Sequence, residues 1–140
     1  MADSREGGCQ CGRVRYEVIG DPITVGVCHC RECQRQSGSA FGMSFIVPKD
    51  AFRLARGTIK TFTRAADSGR PVTCAFCPEC GTRIYHEANW LPGTLNMKPG
   101  TLDDPSLVRP TGEVWTSRKL PWVALDGIQF SIEGQPPSRA

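Results

Sequence analysis

The sequence has no long apolar segment. No stretch of the 140 residues approaches the roughly 20 apolar residues that a membrane-spanning helix needs. The polar start "MADSREGG" also lacks the apolar core of a secretory signal. We therefore expect no membrane partner and a cytoplasmic location.

The sequence also lacks a strong or clustered charge. It has 17 Lys and Arg residues against 14 Asp and Glu, a formal charge of +3, and no run of five or six like charges. Nucleic-acid-binding domains concentrate basic residues along one face. A nucleic-acid partner is therefore not expected.

Several sequence signatures of enzymes are missing as well. There is no P-loop, no G-x-G-x-x-G turn and no Ser–His–Asp arrangement. What the chain does contain is cysteine, eight residues in all. In a reducing cytosol such a number indicates metal binding rather than disulfides. The C-x-C spacing agrees, because a disulfide between such close residues is strained.

The first group of cysteines combines two short motifs. The segment "CQCG" at 9–12 places both thiols on one face if it is extended, and "CPECG" at 77–81 is a turn that presents two sulfurs to one metal. Together they predict a four-cysteine structural zinc site that contributes directly to folding. Its ligands are Cys9, Cys11, Cys77 and Cys80. The alternative is that some of these are simply buried thiols.

The second group lies in "VCHCRECQRQSGSAF" and has one ligand too few for a closed site. Cys28, Cys30 and Cys33 form it. Three protein ligands with an open fourth position are typical of catalytic zinc. In an extended segment, His29 points away from its neighbours, so we interpret it as a wall or proton-handling group rather than a ligand. Cys74 is a candidate for the fourth ligand. Alternatively, Cys74 is a core thiol on the strand "VTCAF".

The chemistry of three thiolates indicates what the open position accepts. The site is soft, so it suits zinc and a further sulfur ligand. Thiolates also donate charge to the metal, which weakens it as a Lewis acid and disfavours hydrolysis. The sequence thus predicts a thiol substrate. Seven thiolates and two zinc ions would also bring the formal charge of +3 to zero.

The secondary-structure pattern is mostly that of short strands. In "RVRYEVI", Val14, Tyr16 and Val18 share one face. The segments "MSFIV", "GTIKTFTR", "TRIYHEA", "EVWTS" and "IQFSI" have the same character. Helix is limited to about two turns from Cys30, ended by Gly38, and one turn at "DDPSL".

These features predict a mainly β protein clasped by metal. We expect a single domain over residues 1–140, with a core at about 7–137. The ends, 1–7 and 134–140, are polar or rich in proline and are expected to be flexible.

Four segments also resemble a known family. "GGCQCGRVRYEV", "CHCRECQRQSGSAF", "CAFCPECGTRIY" and "EVWTSRKLPWV" resemble, in order and spacing, the family of the glutathione-dependent formaldehyde-activating enzyme, which includes centromere protein V. The resemblance runs over about residues 7–137. It implies an Mss4-like fold of several small antiparallel sheets with little helix.

The resemblance also implies a site and a reaction. It implies a structural zinc at the four-cysteine group, and a second zinc at the three-cysteine group, associated with glutathione and carbon–sulfur lyase activity. Glutathione and formaldehyde would combine to, or be released from, S-hydroxymethylglutathione. The chain departs from the named enzyme at His29, where glycine is expected, and in the additional thiol Cys74.

Other residues are candidates for substrate binding. Residues 34–41 could hold the polar backbone of a thiol peptide, or they could simply end a helix. Trp115 and Trp122 could wall a pocket, with Arg118 and Lys119 as carboxylate partners, or they could be core residues. His86 is interpreted as a strand-face residue. The predicted substrate-binding residues are His29, Gln34, Gln36, Ser37, Ser39 and Trp115.

Three functions follow from these observations. The first is a zinc-dependent carbon–sulfur lyase-like enzyme for glutathione or another small thiol adduct, with Cys28, Cys30 and Cys33 as the catalytic residues. The second is a non-catalytic, zinc-clasped binding module for protein or nucleic acid. The third is a thiol or metal buffer that binds glutathione without turnover. The sequence leaves open whether the protein forms a homodimer.

Overall fold

The smaller of two β-sheets contains the first residues of the chain that the structure describes. This computed structural model describes residues 3–66, 69–88 and 90–137. Strands β1 (Ser4–Gly8), β2 (Arg15–Ile19) and β5 (Phe52–Arg56) form an antiparallel sheet in the order β1-β2-β5.

The larger sheet has eight strands. They are β3 (Thr24–Cys28), β4 (Gly42–Pro48), β6 (Lys60–Ala65), β7 (Pro71–Phe76), β8 (Arg83–Ala88), β9 (Thr94–Met97), β10 (Gly112–Val114) and β11 (Phe130–Ile132). Their order is β11-β10-β3-β4-β9-β8-β7-β6. This confirms the mainly β fold class.

The sheets differ from the expectation in two details. There are two sheets in the described residues rather than several small ones, and β10 pairs in parallel with both β3 and β11. A parallel pair needs a crossover of about a dozen residues or more. The segment between β10 and β11 is long enough, and it includes the 3-10 turn Thr116–Arg118.

The core lies between the two sheets. Val14, Tyr16 and Val18 are 1%, 1% and 0% exposed, so the face that they were predicted to share is the buried one. The ring of Phe52 stacks on Tyr16, with 5.2 Å between centroids, and meets Tyr85 of the large sheet edge-on. One face of the large sheet is therefore covered by the small sheet.

The single α-helix of the described residues follows β3. Helix α1 (Arg31–Ser37) begins after Cys30, whose Sγ accepts a hydrogen bond from the backbone N–H of Cys33 at 3.3 Å. It ends at Gly38, which has a φ of 61°. Both ends confirm the predicted helix.

Three local expectations need correction. The N-terminal stretch is not a loose end, because residues 4–8 pair with β2 along their whole length. The segment "DDPSL" forms a turn held by Asp104 Oδ1, which accepts from the backbone N–H of Ser106, and it does not form a helix. Trp122 is 73% exposed and is no core residue. Residues 1, 2 and 138–140 of the expected flexible ends lie outside the described residues.

Within the described ranges, no helix is both long and apolar enough to span a membrane.

Candidate metal centres and cavity

The four-cysteine cluster brings together two parts of the chain. The thiol sulfurs of Cys9, Cys11, Cys77 and Cys80 all lie within 4.8 Å of one another. Sulfur distances are 3.5 Å from Cys9 to Cys11 and 3.8 Å from Cys11 to Cys77. Zinc–sulfur bonds of about 2.3 Å in a tetrahedron separate the sulfurs by about 3.8 Å. The four thiols therefore fit a zinc ion.

Backbone groups around the four-cysteine cluster favour thiolates. The N–H of Val14 donates to Cys9 Sγ at 3.2 Å, and the N–H of Glu79 donates to Cys77 Sγ at 3.4 Å. Gly81, with a φ of 80°, allows the turn after the second pair. These contacts stabilise negative charge on the sulfurs, as a metal site requires.

Thr82 has a separate effect on the fourth ligand. Its Oγ1 lies 3.2 Å from Cys80 Sγ. The hydrogen bonds of Thr82 lower the pKa of Cys80 to about 5. This cysteine is thus predisposed to be a thiolate at neutral pH.

The three-cysteine cluster is built at the junction of β3 and α1. Cys28 is the last residue of β3, Cys30 caps the helix, and Cys33 lies in its first turn. Their sulfurs are all within 4.8 Å of one another. The hydrogen bonds from Cys28 and Cys33 lower the pKa of Cys30 to about 2, while those with Cys30 and Cys33 raise the pKa of Cys28. A negative charge on one of the three sulfurs disfavours ionisation of the next. A cation is therefore needed to hold three thiolates together.

No fourth metal-ligating side chain joins these three thiols in the part of the chain that is described. Cys74 is fully buried on β7, directly opposite His86 on β8, and belongs to neither cluster. This placement matches the core-thiol interpretation of Cys74.

A cavity of about 800 Å³ opens beside the three-cysteine cluster. It lies over the face of the large sheet that is turned away from the core, and all three thiol residues line it. Ser44 and Ile46 line it too, whereas Phe45 and Val47 between and after them are buried in the core. Alternation along β4 thus divides the sheet into a core face and a cavity face.

Positive charge dominates the ionisable groups of the cavity wall. The cavity-lining basic side chains are Arg31, Arg64, Arg70, Lys98 and Arg118. Glu32 is the acidic residue among those that line it, and its carboxylate lies 3.9 Å from Arg64. Such a wall favours an anionic ligand.

Lys98 is the basic residue most closely tied to the cluster. Its Nζ donates to the carbonyl of Met43 at 3.2 Å. Burial lowers the pKa of Lys98, and the negative charge of Cys33 and Cys28 opposes that shift. The ammonium group therefore lies within electrostatic reach of the thiolates.

His86 is a neutral group of the cavity wall. It is 5% exposed, and burial together with nearby Lys98, Arg83 and Arg64 lowers its pKa to about 2. Its Nε2 accepts a hydrogen bond from Arg83 at 2.9 Å. The predicted strand-face residue thus faces the cavity.

His29 does not line the cavity. Its side chain is fully buried, and Nε2 lies 3.1 Å from Oε2 of Glu113. Its Nδ1 has no hydrogen-bond partner among the described residues. The substrate-binding role of His29 stays a prediction, and the buried position does not favour it.

Glu113 anchors this histidine from β10. It is 5% exposed, and Oε1 also accepts from Lys119 Nζ at 3.2 Å and from Ser131 Oγ at 3.1 Å. Burial raises its pKa, but hydrogen bonds from His29, Lys119 and Ser131 bring that pKa below its ordinary value. Sequence reasoning missed Glu113, although an acidic residue inside an apolar strand is a signal for a buried partner.

The polar residues after the cluster mainly complete the helix. Gln34 is 6% exposed, and its amide donates to the carbonyls of His29 and Arg118 at 2.9 and 3.1 Å. Ser37 Oγ donates to the carbonyl of Cys33 at 2.7 Å. None of the predicted binding residues Gln34, Gln36, Ser37 and Ser39 lines the described cavity, so their role in binding stays a prediction.

Trp115 does line the cavity. Its φ of 56° is the only positive value among the described residues that are not glycine, and such strain is common at functional sites. Its Nε1 donates to Gln135 Oε1 at 3.2 Å. Arg118 also lines the cavity, whereas Lys119 pairs with Glu113 instead.

The fold and the two clusters define a mainly β protein with two cysteine sites that can hold metal. The family model of the glutathione-dependent formaldehyde-activating enzyme matches residues 4–118, and the chain belongs to this family. The matched region includes all seven clustered cysteines.

Individual relatives are more distant. A curated protein of Emericella nidulans, which carries the name of a glutathione-dependent formaldehyde-activating enzyme, is 26% identical over 77 residues. That match covers 55% of this chain and 38% of the relative, so the chain spans about two fifths of its length. A crystal structure of a Rhodobacter sphaeroides protein is 21% identical, with a TM-score of 0.58 over 75% of this chain and 91% of that one. It shows the same fold.

Proposed function

We propose that the protein is a zinc-dependent carbon–sulfur lyase-type enzyme. Its substrate would be the adduct of glutathione with formaldehyde, S-hydroxymethylglutathione, or another small thiol adduct. The observation that supports this most directly is the three-cysteine cluster, which opens onto a cavity with a positively charged wall. Membership of the formaldehyde-activating family supports the same substrate class.

Two zinc ions are part of the proposal. The four-cysteine cluster would hold a structural ion, and Cys28, Cys30 and Cys33 would hold a second with an open position. An ion held by three thiolates supplies a soft position for the substrate sulfur and favours its thiolate form.

The cavity wall would bind the rest of glutathione. Glutathione carries two carboxylates and one ammonium group. Arg64, Lys98 and Arg118 are suited to the carboxylates, because charge-assisted hydrogen bonds to such groups are strong. Glu32 is suited to the ammonium group. These contacts would hold the sulfur beside the cluster.

The reaction would break one carbon–sulfur bond. The hydroxyl group of the adduct loses its proton, and its oxygen forms the carbonyl double bond of formaldehyde. The electron pair of the carbon–sulfur bond goes to sulfur, which takes up a proton to give glutathione. The reverse direction forms the adduct, and no oxidant or reductant is needed. A cytoplasmic location would suit this chemistry, since glutathione keeps thiols reduced there.

The test is an exchange measurement by NMR. Protein with two bound zinc ions is added to glutathione and ¹³C-formaldehyde, and the interconversion rate of free and adduct formaldehyde is measured. We expect a rate increase that Cys33→Ser reduces at least 100-fold. The matched control is Cys74→Ala, which removes a thiol outside both clusters and should keep the rate within about threefold.

Three results would count against the proposal. Unchanged interconversion with both zinc ions bound would reject this substrate. Glutathione binding without a rate increase would favour a thiol buffer. If the protein neither binds glutathione nor increases the rate, a binding module would be favoured.

A further inference from the structure

The cavity has a bare, apolar region directly beside the three-cysteine cluster. We call it the apolar shelf and define it as Gly26, Ile46, Val114, Phe130 and Ile132, all of which line the cavity. Three of these residues, Val114, Phe130 and Ile132, lie on β10 and β11 at one edge of the large sheet. Phe130 is 48% exposed there, so it presents apolar surface to the cavity.

Strand register places the apolar shelf next to Cys28. Cys28 lies opposite Val114 of β10, which in turn lies opposite Ile132 of β11. Gly26 is two residues before Cys28 on the same strand, so it is on the same face at a distance of about 7 Å along the strand. A group attached to a sulfur beside Cys28 can therefore reach the shelf.

Two glycines shape this region: Gly112 makes room for the ring of Phe130, and Gly26 leaves open space. Gly26 lies opposite Gly112 of β10, and the ring of Phe130 occupies the space that a side chain at Gly112 would need. At Gly26 an added Cβ would meet only the carbonyl oxygen of Gly112, at 3.6 Å, which is an ordinary contact. No neighbouring atom therefore requires glycine at position 26. A larger side chain there would project into the cavity.

The charged groups of the wall are mostly on the other side of the cluster. Lys98 follows β9, Arg64 is on β6, and Arg70 precedes β7, whereas the shelf lies on β11, β10, β3 and β4. Arg31 is on the helix that carries Cys33, and Arg118 follows β10. The cavity thus offers a cationic side for glutathione and an apolar side that the CH₂OH group of the formaldehyde adduct does not need.

We propose that the shelf receives an apolar substituent on the carbon bonded to the glutathione sulfur. The preferred substrates are then glutathione hemithioacetals of branched or aromatic aldehydes. Cleavage follows the same balance as for formaldehyde: the hydroxyl proton leaves, the aldehyde carbonyl forms, and the sulfur keeps the electron pair of the broken bond. This inference rests on the proposed function, because the sulfur must lie beside the three cysteines.

The test uses stable thioethers, so that binding is measured without turnover. S-Methylglutathione and S-benzylglutathione carry a small and a large apolar group at the same sulfur. Isothermal titration of the protein with two bound zinc ions should show at least tenfold tighter binding of S-benzylglutathione. Gly26→Val fills the shelf and should reduce this ratio to about twofold or less.

The matched control is Gly100→Val. Gly100 is exposed, and an added Cβ there would meet no atom within 4 Å. This variant should keep the full binding ratio. Gly26→Ala gives a smaller change at the same place and should lower the ratio only in part, and circular dichroism and zinc content check the fold of each variant.

The outcomes separate the inference from the proposed function. Equal binding of the two thioethers, with glutathione itself bound, would overturn the inference alone. A ratio that Gly26→Val leaves intact would also overturn it, since the group would then lie elsewhere. If glutathione and both thioethers fail to bind, the proposed function fails and the inference fails with it.

Discussion

The two cysteine clusters differ in the length of chain that each one closes. The four-cysteine cluster joins residues 9–11 to residues 77–80, and two of its members, Cys9 and Cys77, belong to the hydrophobic core. The three-cysteine cluster lies within residues 28–33 and faces a cavity. A metal that closes a long loop contributes to folding, whereas one within a short segment contributes little. The first cluster is therefore suited to stability and the second to chemistry.

The largest expected effect is on folding. Cys77→Ser should abolish cooperative unfolding, because it removes much of the roughly 10–16 kcal/mol that a structural zinc site provides. Cys33→Ser should cost only about 0.5–3 kcal/mol and leave one zinc bound. Urea unfolding followed by circular dichroism, together with zinc analysis, measures both. Equal destabilisation by the two variants would refute the division of roles.

The next effect concerns the network behind the three-cysteine cluster. Glu113→Gln should destabilise the protein by about 1.5–3 kcal/mol, since it removes charge-assisted hydrogen bonds to His29 and Lys119. It should also weaken Co²⁺ binding at the three-cysteine cluster about tenfold, because His29 fixes the backbone between two ligands. Titration of the Co²⁺ absorption bands measures this.

Asp103→Asn is the matched control for the buried carboxylate. Asp103 is an exposed acid paired with Arg15 of β2 in the small sheet. Its loss should leave both Co²⁺ affinities unchanged. If Glu113→Gln also leaves them unchanged, the network serves packing alone.

The smallest effect is on the pH at which the four-cysteine cluster loses zinc. Hydrogen bonds from Thr82 lower the pKa of Cys80 to about 5, so protons compete weakly with metal there. Thr82→Val removes the hydroxyl and raises that pKa, and zinc release on acidification should shift to higher pH by less than one unit. A zinc indicator dye follows the release, and Thr63→Val, which removes an exposed hydroxyl on β6, is the control. A shift to lower pH would contradict the assigned effect of Thr82.

Sequence reasoning predicted the cysteine sites better than their surroundings. The membership of both clusters follows from spacings of two and three residues, which local geometry converts directly into shared faces and turns. The helix from Cys30 to Gly38 was predictable for the same reason, as a cap at each end is a local signal. The parallel pairing of β10 was not, because a crossover leaves no local pattern.

The candidate binding residues show where local reasoning fails. Residues 34–39 are adjacent to the cluster in sequence, but their hydrogen bonds are directed to the helix and its neighbours. Lys98, just after β9, and Arg64, on β6, are distant in the sequence, and both line the cavity. Isolated basic residues in or next to short strands give no local sequence signal that they will line the same cavity.

The sequence by itself determined which thiols lie together, which side chains of β2 share a face and where the helix begins and ends. These features depend on residues at most a few positions apart, or on a motif whose partner chemistry is distinctive. Only the tertiary structure decided that His29 is buried against Glu113 and that Gly26 opens an apolar shelf. Those features depend on the order of strands in the large sheet, which is set by packing over the whole chain.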